Sequence, residues 1–557
     1  MTPTKPRLSS LLLVGCALTL GLVSFVPDVS ADQPPLHFAV ASESAGATKE
    51  AERVLRAGGN AFDAAVCAAL VTGFTSPSSS GIGGGGFAMV WSARDQKPYV
   101  VDFRETAPAG IDAAALDKRP VPPEKRGQSV GVPGEVAGLF ELHERFGKLK
   151  WKDVVTRAAR LAELGFVAEQ HTADQVGEQA SGLIAKSPLF KSVYLPGGKP
   201  ITVGQKLRAS KLSQTLSRIA NFGKRGFYEG PVASDIVKAV QAAGGALSLA
   251  DLANYKTVSR EPLRISWGNK EVLTMPAPSA GGLMLAQVLA LFTPEELKAL
   301  DDAPGKRIHL LAEAMRGAAA DRARYYGDPA FVSVDVPSLL SPARMARRKA
   351  LMAADRTHTQ PRFGLEESGT HHLVTADGEG NWVSLTTTVN EPFGAKVVAE
   401  QSGILLNNEL TDFATPDSVT VFGMTDSPNR VRPGARPVSS MTPTLLLENG
   451  KVTAALGGSG GITISPNVTQ VVLNRLGYGM PALAAVAAPR FMIPPPRSGN
   501  TLSLEAALAT PYGADLTARG ELFASRDWKN AVQLITREGD VFGAAADPRK
   551  QGSAVSQ

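Results

Sequence analysis

Between Gly369 and Asp412 the chain gathers hydroxyl, carboxamide and carboxyl side chains at short spacing: Thr370, Thr388 and Asn390, then Glu409 and Asp412. Such groups can attack and hold an acyl compound, but a threonine hydroxyl is a weak nucleophile and the sequence places no obvious general base beside Thr370. Cleavage between Gly369 and Thr370 would supply one. The freed α-amine would share a residue with the hydroxyl and could accept its proton, so the chain would make its own base. Glycine before the nucleophile suits that cut, because it tolerates the strained backbone that brings a hydroxyl onto the preceding carbonyl. Taken alone, a Gly-Thr pair reads as an ordinary entry into a strand, and only its surroundings can decide.

The surroundings must position Thr370. From Leu373 the pattern predicts a strand, a turn at Asp377–Asn381 and a β-branched strand from Trp382 to Val389, a hairpin with Thr370 at the head of one edge. Upstream, Ala47 to Phe74 shows helical spacing interrupted at Gly58-Gly59-Asn60-Ala61, which predicts two helices. Gly81 to Gly86 contains a formal G-x-G-x-x-G, but a dinucleotide site needs a strand before the glycines and a helix after them. Here the order is reversed, with a strand at Phe87–Trp91, so the glycines are expected to permit close backbone packing instead. Val100 to Pro108 reads as a strand ending in a polar turn at Arg104. Helical spacing at 154–162, 236–243 and 308–315 marks Ser129 to about Arg344 as scaffold. Arg347–Glu367 reads as polar and irregular, as a segment accessible to self-cleavage would be. Ala414–Pro437 reads as a loop, and Gly457–Gly461, placed after a strand, is also consistent with a Gly-rich hairpin turn.

A dozen of these positions, in order, resemble the γ-glutamyltranspeptidase family (glutathione hydrolases), self-processing N-terminal-nucleophile hydrolases. Thr370, His372, Thr388-x-Asn390 and Ser402–Phe413 match its central segment. Gly81–Phe87, Arg104, Pro437–Pro443 and Gly543–Arg549 match elsewhere, so the likeness covers nearly all of the chain after its first residues. The resemblance implies Thr370 as nucleophile, Thr388 as its activator, and Gly460 and Gly461 as the backbone donors of an oxyanion hole. It implies a clamp in which Arg104, Ser439 and Ser440 hold the α-carboxylate of a γ-glutamyl group while Asn390, Glu409 and Asp412 hold its α-amino end. A guanidinium suits the first task, being permanently charged and able to grip a carboxylate through two parallel bonds. Phe422 stands where family members carry a lid aromatic, with a plain surface loop as the alternative. His371, Val374 and Ile462-Thr463 depart from the family pattern, which bears on processing rate and acceptor preference.

The implied fold is α+β, an αββα four-layer sandwich, built as a precursor that splits into a large part, 32–369, and a small catalytic part, 370–557, which stay together. The implied substrates are γ-glutamyl donors such as glutathione, with water, amino acids or peptides as acceptors and no cofactor or metal. A cephalosporin or glutaryl acylase of the same architecture, a non-catalytic exported binding protein and a self-cleaving but inactive relative are the rival readings. Lys5 and Arg7 precede an apolar run from Leu11 to Val26 and a small-residue site at Val29–Ala31, the pattern of a secretory signal over 1–31. Export to the periplasm or medium is expected. Lipoprotein anchoring at Cys16 is the lesser expectation, since the apolar run continues past it. With Cys16 removed, Cys67 in an apolar helical run would be a small core residue rather than a disulfide partner. A net charge of +6 on 557 residues does not point to nucleic acid, because the basic residues are scattered.

Overall fold

Strand side chains alternate between two faces, and in this chain both faces find apolar partners. The computed structural model describes residues 37–357, 369–420, 424–493, 501–526 and 529–557. Its main strands, in chain order, are β1 (Phe38–Ser42), β2 (Gly85–Ser92), β3 (Lys97–Asp102), β4 (Val258–Arg260), β5 (Leu263–Trp267), β6 (Lys270–Thr274), β7 (His371–Asp377), β8 (Trp382–Thr388), β9 (Thr444–Glu448), β10 (Lys451–Ser459), β11 (Ala531–Glu538), β12 (Val541–Ala545) and β13 (Ser553–Ser556). They form two antiparallel sheets, one ordered β13-β1-β7-β8-β2-β3-β4 and the other β12-β11-β10-β9-β6-β5. The predicted hairpin is β7–β8, at the centre of the first sheet.

The layering follows from the alternation. Phe38 and Val40 of β1 join one apolar cluster with helices α1 (Ala45–Arg56) and α2 (Ala61–Thr75), while Ala39 and Ala41 join a second cluster with the other sheet. Strand β8 divides in the same way, Val383 and Leu385 against the first cluster and Trp382 against the second. The second cluster continues through Leu445, Ala455 and Leu534 to helices α3 (Gly281–Leu291) and α4 (Ile464–Tyr478). The order helix, sheet, sheet, helix is the expected αββα sandwich. Because covered on both sides, β7 and β8 are buried along their whole length.

The two predicted upstream helices are α1 and α2, separated at Gly58–Asn60 as expected. Asn60 accepts hydrogen bonds from the amides of Phe62 and Asp63, and the Asp63 carboxylate accepts from Asn60 N, a closed capping box. Asp377, at the hairpin turn, accepts from Ala61 N at 2.9 Å and from Asn381 N at 3.0 Å, which ties the hairpin to the start of α2. The three expected scaffold helices are Trp151–Leu164, Gly230–Ala242, which ends one residue before the expected 243, and Pro304–Tyr325.

Three local expectations are corrected. The stretch read as irregular from Arg347 begins inside a helix, Pro342–Leu351. It is held because Arg344 and Arg348, one turn apart, both donate to Asp321 at 2.8 and 2.9 Å while Met345 is buried beneath them. The loop expected over Ala414–Pro437 contains a short helix, Pro416–Thr420. Gly457–Ser459 belong to β10, so the turn starts only at Gly460. The signal segment with Cys16, His358 and the rest of 358–368, and Phe422 lie outside the described residues. Cys67 is buried within α2, and burial pushes its thiol up to about 12. Among the described residues, no helix is long and apolar enough to cross a membrane.

The two sheets meet closely at Gly457, where an added Cβ would lie 2.3 Å from Cε1 of His372. Gly457→Ala is expected to cost about 1–3 kcal/mol of stability by overpacking, and the cost should shrink in a His372→Ala background. Thermal unfolding of the two single variants and the double variant measures both.

Candidate active site

Register brings the expected nucleophile to its activator. In the hairpin His371 pairs with Thr387, so the next residues outward, Thr370 and Thr388, face each other across the open end. The Thr370 hydroxyl donates to the carbonyl of Gly369 and lies 3.4 Å from the Thr388 hydroxyl. Thr388 in turn donates to the same Gly369 carbonyl at 3.0 Å and accepts from Asn390 N at 2.8 Å. The carbonyl of the bond expected to be cut is therefore polarised by one hydroxyl and touched by the other. Gly369 has φ +105, and an added Cβ would meet the Asn390 carbonyl oxygen at 2.4 Å, so the position admits only glycine. Gly84 is constrained from the other side, its missing Cβ leaving room for the Thr388 carbonyl. The G-x-G-x-x-G stretch is thus a tight backbone approach to the site, as expected.

Asn390 links the hydroxyl pair to the expected clamp. Its side-chain amide donates to Asp412 and to Thr411, each at 3.0 Å. Arg104 is paired with Asp412 at 2.6 Å and with Glu409, and all three side chains are buried. The guanidinium also donates to the carbonyls of Pro437 and Val438, which sets the segment leading into Ser439 against it. Ser440 accepts from Arg322, leaving its own proton available to an acceptor. Asn407 fixes the far wall, donating to the carbonyls of Gly83 and Gly131 and accepting from Glu409 N.

The site is buried and rich in carboxyl groups. Burial pushes the Glu105 carboxyl up to about 8, against the opposing charge of Arg104. Burial likewise holds Glu409 well above the usual carboxylate range, again with Arg104 opposing, and Glu135 well above it with the nearby Glu105 adding to the effect. The two histidines after Thr370 are poor bases. Burial lowers His372 to about 3, and its Nδ1 is 2.8 Å from Thr386 Oγ1. His371 is held well below its ordinary value by burial and then by the charge of Lys550.

The residue before the expected oxyanion glycines, Ser459, is tied to Thr370 through a residue the sequence reading missed. Gly460 and Gly461 both have positive φ and lead from β10 into α4, just after Ser459. Lys550 donates to Ser459 Oγ at 2.7 Å, to the Thr370 carbonyl at 3.2 Å and to Glu43 at 2.8 Å. Glu43 accepts from His372 N at 3.0 Å. Glu105, Arg322, Glu43 and Lys550 all escaped notice, and Asn407 lay within the matched Ser402–Phe413 segment without a role assigned to it. The recognised closing segment Gly543–Arg549 stopped one residue short of Lys550.

A family model described as Gamma-glutamyltranspeptidase matches residues 47–557. Glutathione hydrolase 2 of Arabidopsis thaliana is 39% identical over 543 residues, 93% of this chain and 93% of that protein. The glutathione hydrolase proenzyme of Pseudomonas aeruginosa is 36% identical over 530 residues, 92% of this chain and 93% of that one. Among solved structures, cephalosporin acylase from Bacillus halodurans superimposes with a TM-score of 0.83 at 25% identity, covering 95% of this chain and 99% of its own.

The raised Glu105 carboxyl has a consequence for stability. Its protonated form is favoured in the folded state, so its contribution is complete below the ordinary glutamate range, declines as pH rises and is gone once pH passes about 8. Glu105→Gln, which cannot ionise, is expected to flatten that part of the stability profile. Melting temperatures of both proteins across a pH series measure it.

Proposed function

The chain belongs to the γ-glutamyltranspeptidase family, which makes it a γ-glutamyl hydrolase or transferase, and from that premise we propose that it activates itself by cutting between Gly369 and Thr370. The observation that carries this reading is the Gly369 carbonyl, which accepts hydrogen bonds from both threonine hydroxyls. In the precursor, Thr370 Oγ attacks that carbonyl carbon and its proton passes to the departing amide nitrogen. The resulting ester is hydrolysed by water, leaving a carboxylate on Gly369 and a free α-amine on Thr370. The products are the parts 32–369 and 370–557.

In the mature enzyme the α-amine, hydrogen-bonded through Thr388, takes the Oγ proton as Oγ attacks the γ-carbonyl of glutathione or a related compound. The amides of Gly460 and Gly461 steady the oxyanion, the leaving amine takes the proton back, and a γ-glutamyl ester of Thr370 remains. Water, an amino acid or a peptide then accepts the acyl group. Arg104 with Ser439 and Ser440 holds the α-carboxylate, and Asn390, Glu409 and Asp412 hold the α-ammonium. Only glutamate joined through its side chain has both of these groups free, so the clamp selects the γ-linkage. The charge pattern at residues 1–31 supports export of the precursor.

The likeness to cephalosporin acylase keeps a glutaryl-type substrate in view. A glutaryl group has a carboxylate but no ammonium, and would leave Asp412 and Asn390 without a partner they are arranged to meet.

Wild type is expected to run as two bands under denaturing conditions, the smaller beginning Thr-His-His, and Thr370→Ala as one uncut and inactive band. An uncut wild type with full activity would overturn the proposal. Wild type should also prefer γ-glutamyl-p-nitroanilide to glutaryl-p-nitroanilide by about 10-fold or more in kcat/KM, and Asp412→Asn should narrow that ratio.

A further inference from the structure

Lys550 comes from the opposite end of the chain to Glu43 and is buried with it against the strand that begins with the nucleophile. A buried ammonium is costly unless every proton on it has a partner. Here the three protons are used on Glu43, on Ser459 Oγ and on the Thr370 carbonyl. One point charge thus joins the nucleophile's own backbone to the residue before the Gly460–Gly461 turn, while Glu43 secures the next backbone amide, His372 N. The contact outlasts the cut, because the carbonyl of Thr370 lies on the side of the residue that stays attached to His371.

Resting on the self-cleavage reading above, we propose that Lys550 is a positioning residue with two effects. It fixes the distance between Thr370 and the oxyanion turn, and its ammonium keeps the α-amine freed at Thr370 in the neutral form that can take the hydroxyl proton. The second effect follows from sign: a positive charge a few bonds from an amine disfavours its protonation. The other titratable groups facing this point are Glu43, which opposes Lys550 although burial pushes its carboxyl up, and His171, His371 and His372, which burial keeps neutral. The Lys550–Glu43 pair is therefore the charge arrangement the new amine meets, with the ammonium on the near side.

The test uses purified wild type, Lys550→Met, Lys550→Arg and the charge-balanced double variant Glu43→Gln/Lys550→Met, each assayed with γ-glutamyl-p-nitroanilide across pH. Lys550→Met is expected to lose about 10-fold or more in kcat with KM changed less than about 2-fold, as misplacement of reacting groups does. The acidic limb of its kcat profile should move up by about one pH unit. Lys550→Arg should keep the limb in place, and the double variant should recover folding and bring the limb part of the way back. If Lys550→Met fails to fold or to cleave itself, the double variant carries the test, and a kcat equal to wild type in it overturns the positioning role. Unchanged kcat and an unmoved limb in Lys550→Met, or equal shifts in the Met and Arg variants, likewise overturn the proposal. Wild type and Thr370→Ala run in parallel separate that failure from a failure of the catalytic reading itself, since only the latter would leave wild type uncut or without γ-glutamyl activity.

Discussion

The site depends on one register. Pairing of His371 with Thr387 sets Thr370 opposite Thr388 at the mouth of the central hairpin. A slip of one residue would turn every side chain of β7 to the wrong face. That slip is prevented from both sides of the sheet: Leu373 packs towards α1 and α2, Val374 and Ala376 pack towards the second sheet, and Asp377 is bonded to the first turn of α2. The apolar layers therefore do more than stabilise the sandwich. They specify which two hydroxyls meet, and Gly369 and Gly84 then allow the flanking backbones to close on that meeting point.

The same burial shapes the electrostatics. The Arg104 guanidinium is buried between Glu409 and Asp412, with Glu105 near it, so protonation of Glu105 and Glu409 is a cheaper way to balance charge than ionising every carboxyl. A γ-glutamyl group, the proposed occupant, would enter this setting as a zwitterion and add no net charge. On that proposal its carboxylate would meet the cation and its ammonium the acids, so it would settle between them without leaving an uncompensated charge in the interior. A substrate end carrying only a carboxylate would add a negative charge to a pocket already rich in acids, which disfavours it before any shape is considered.

How much of this could be read from the sequence follows from distance along the chain. Thr370, Thr388, Asn390, Glu409 and Asp412 fall within one stretch, and the hairpin that orders them carries its own turn residues, so motif and element could be read together. The αββα layering could be inferred from the family resemblance, and the strands show why it holds, with period-two alternation feeding two separate apolar clusters. Lys550 and Glu43 are 507 residues apart and each looks like an ordinary surface charge until the first sheet brings β1 and β13 side by side. Arg322 was hidden for a related reason, its helix reading as scaffold while its end reaches Ser440. The helix at Pro342–Leu351 escaped because its stabilising partner, Asp321, lies on another helix and local polarity alone suggested a loop.

The position of the proposed cut explains how a severed chain would keep its shape. Strand β7 pairs with β1 and β8 pairs with β2, so the hairpin that follows Thr370 is inserted between two strands from before the cut. Strand β13, near the far end of the chain, closes on the outer edge of β1. Breaking the Gly369–Thr370 bond releases no strand from the sheet, and both apolar clusters draw residues from each side of it. Cleavage there would therefore change one local quantity, turning a peptide nitrogen into an amine, while the register, the proposed clamp and the contact from Lys550 would remain as they were folded. An enzyme that must assemble its base after folding needs that separation between the bond that breaks and the contacts that hold, and the sandwich would provide it by placing the proposed bond at the open end of the hairpin central to its first sheet.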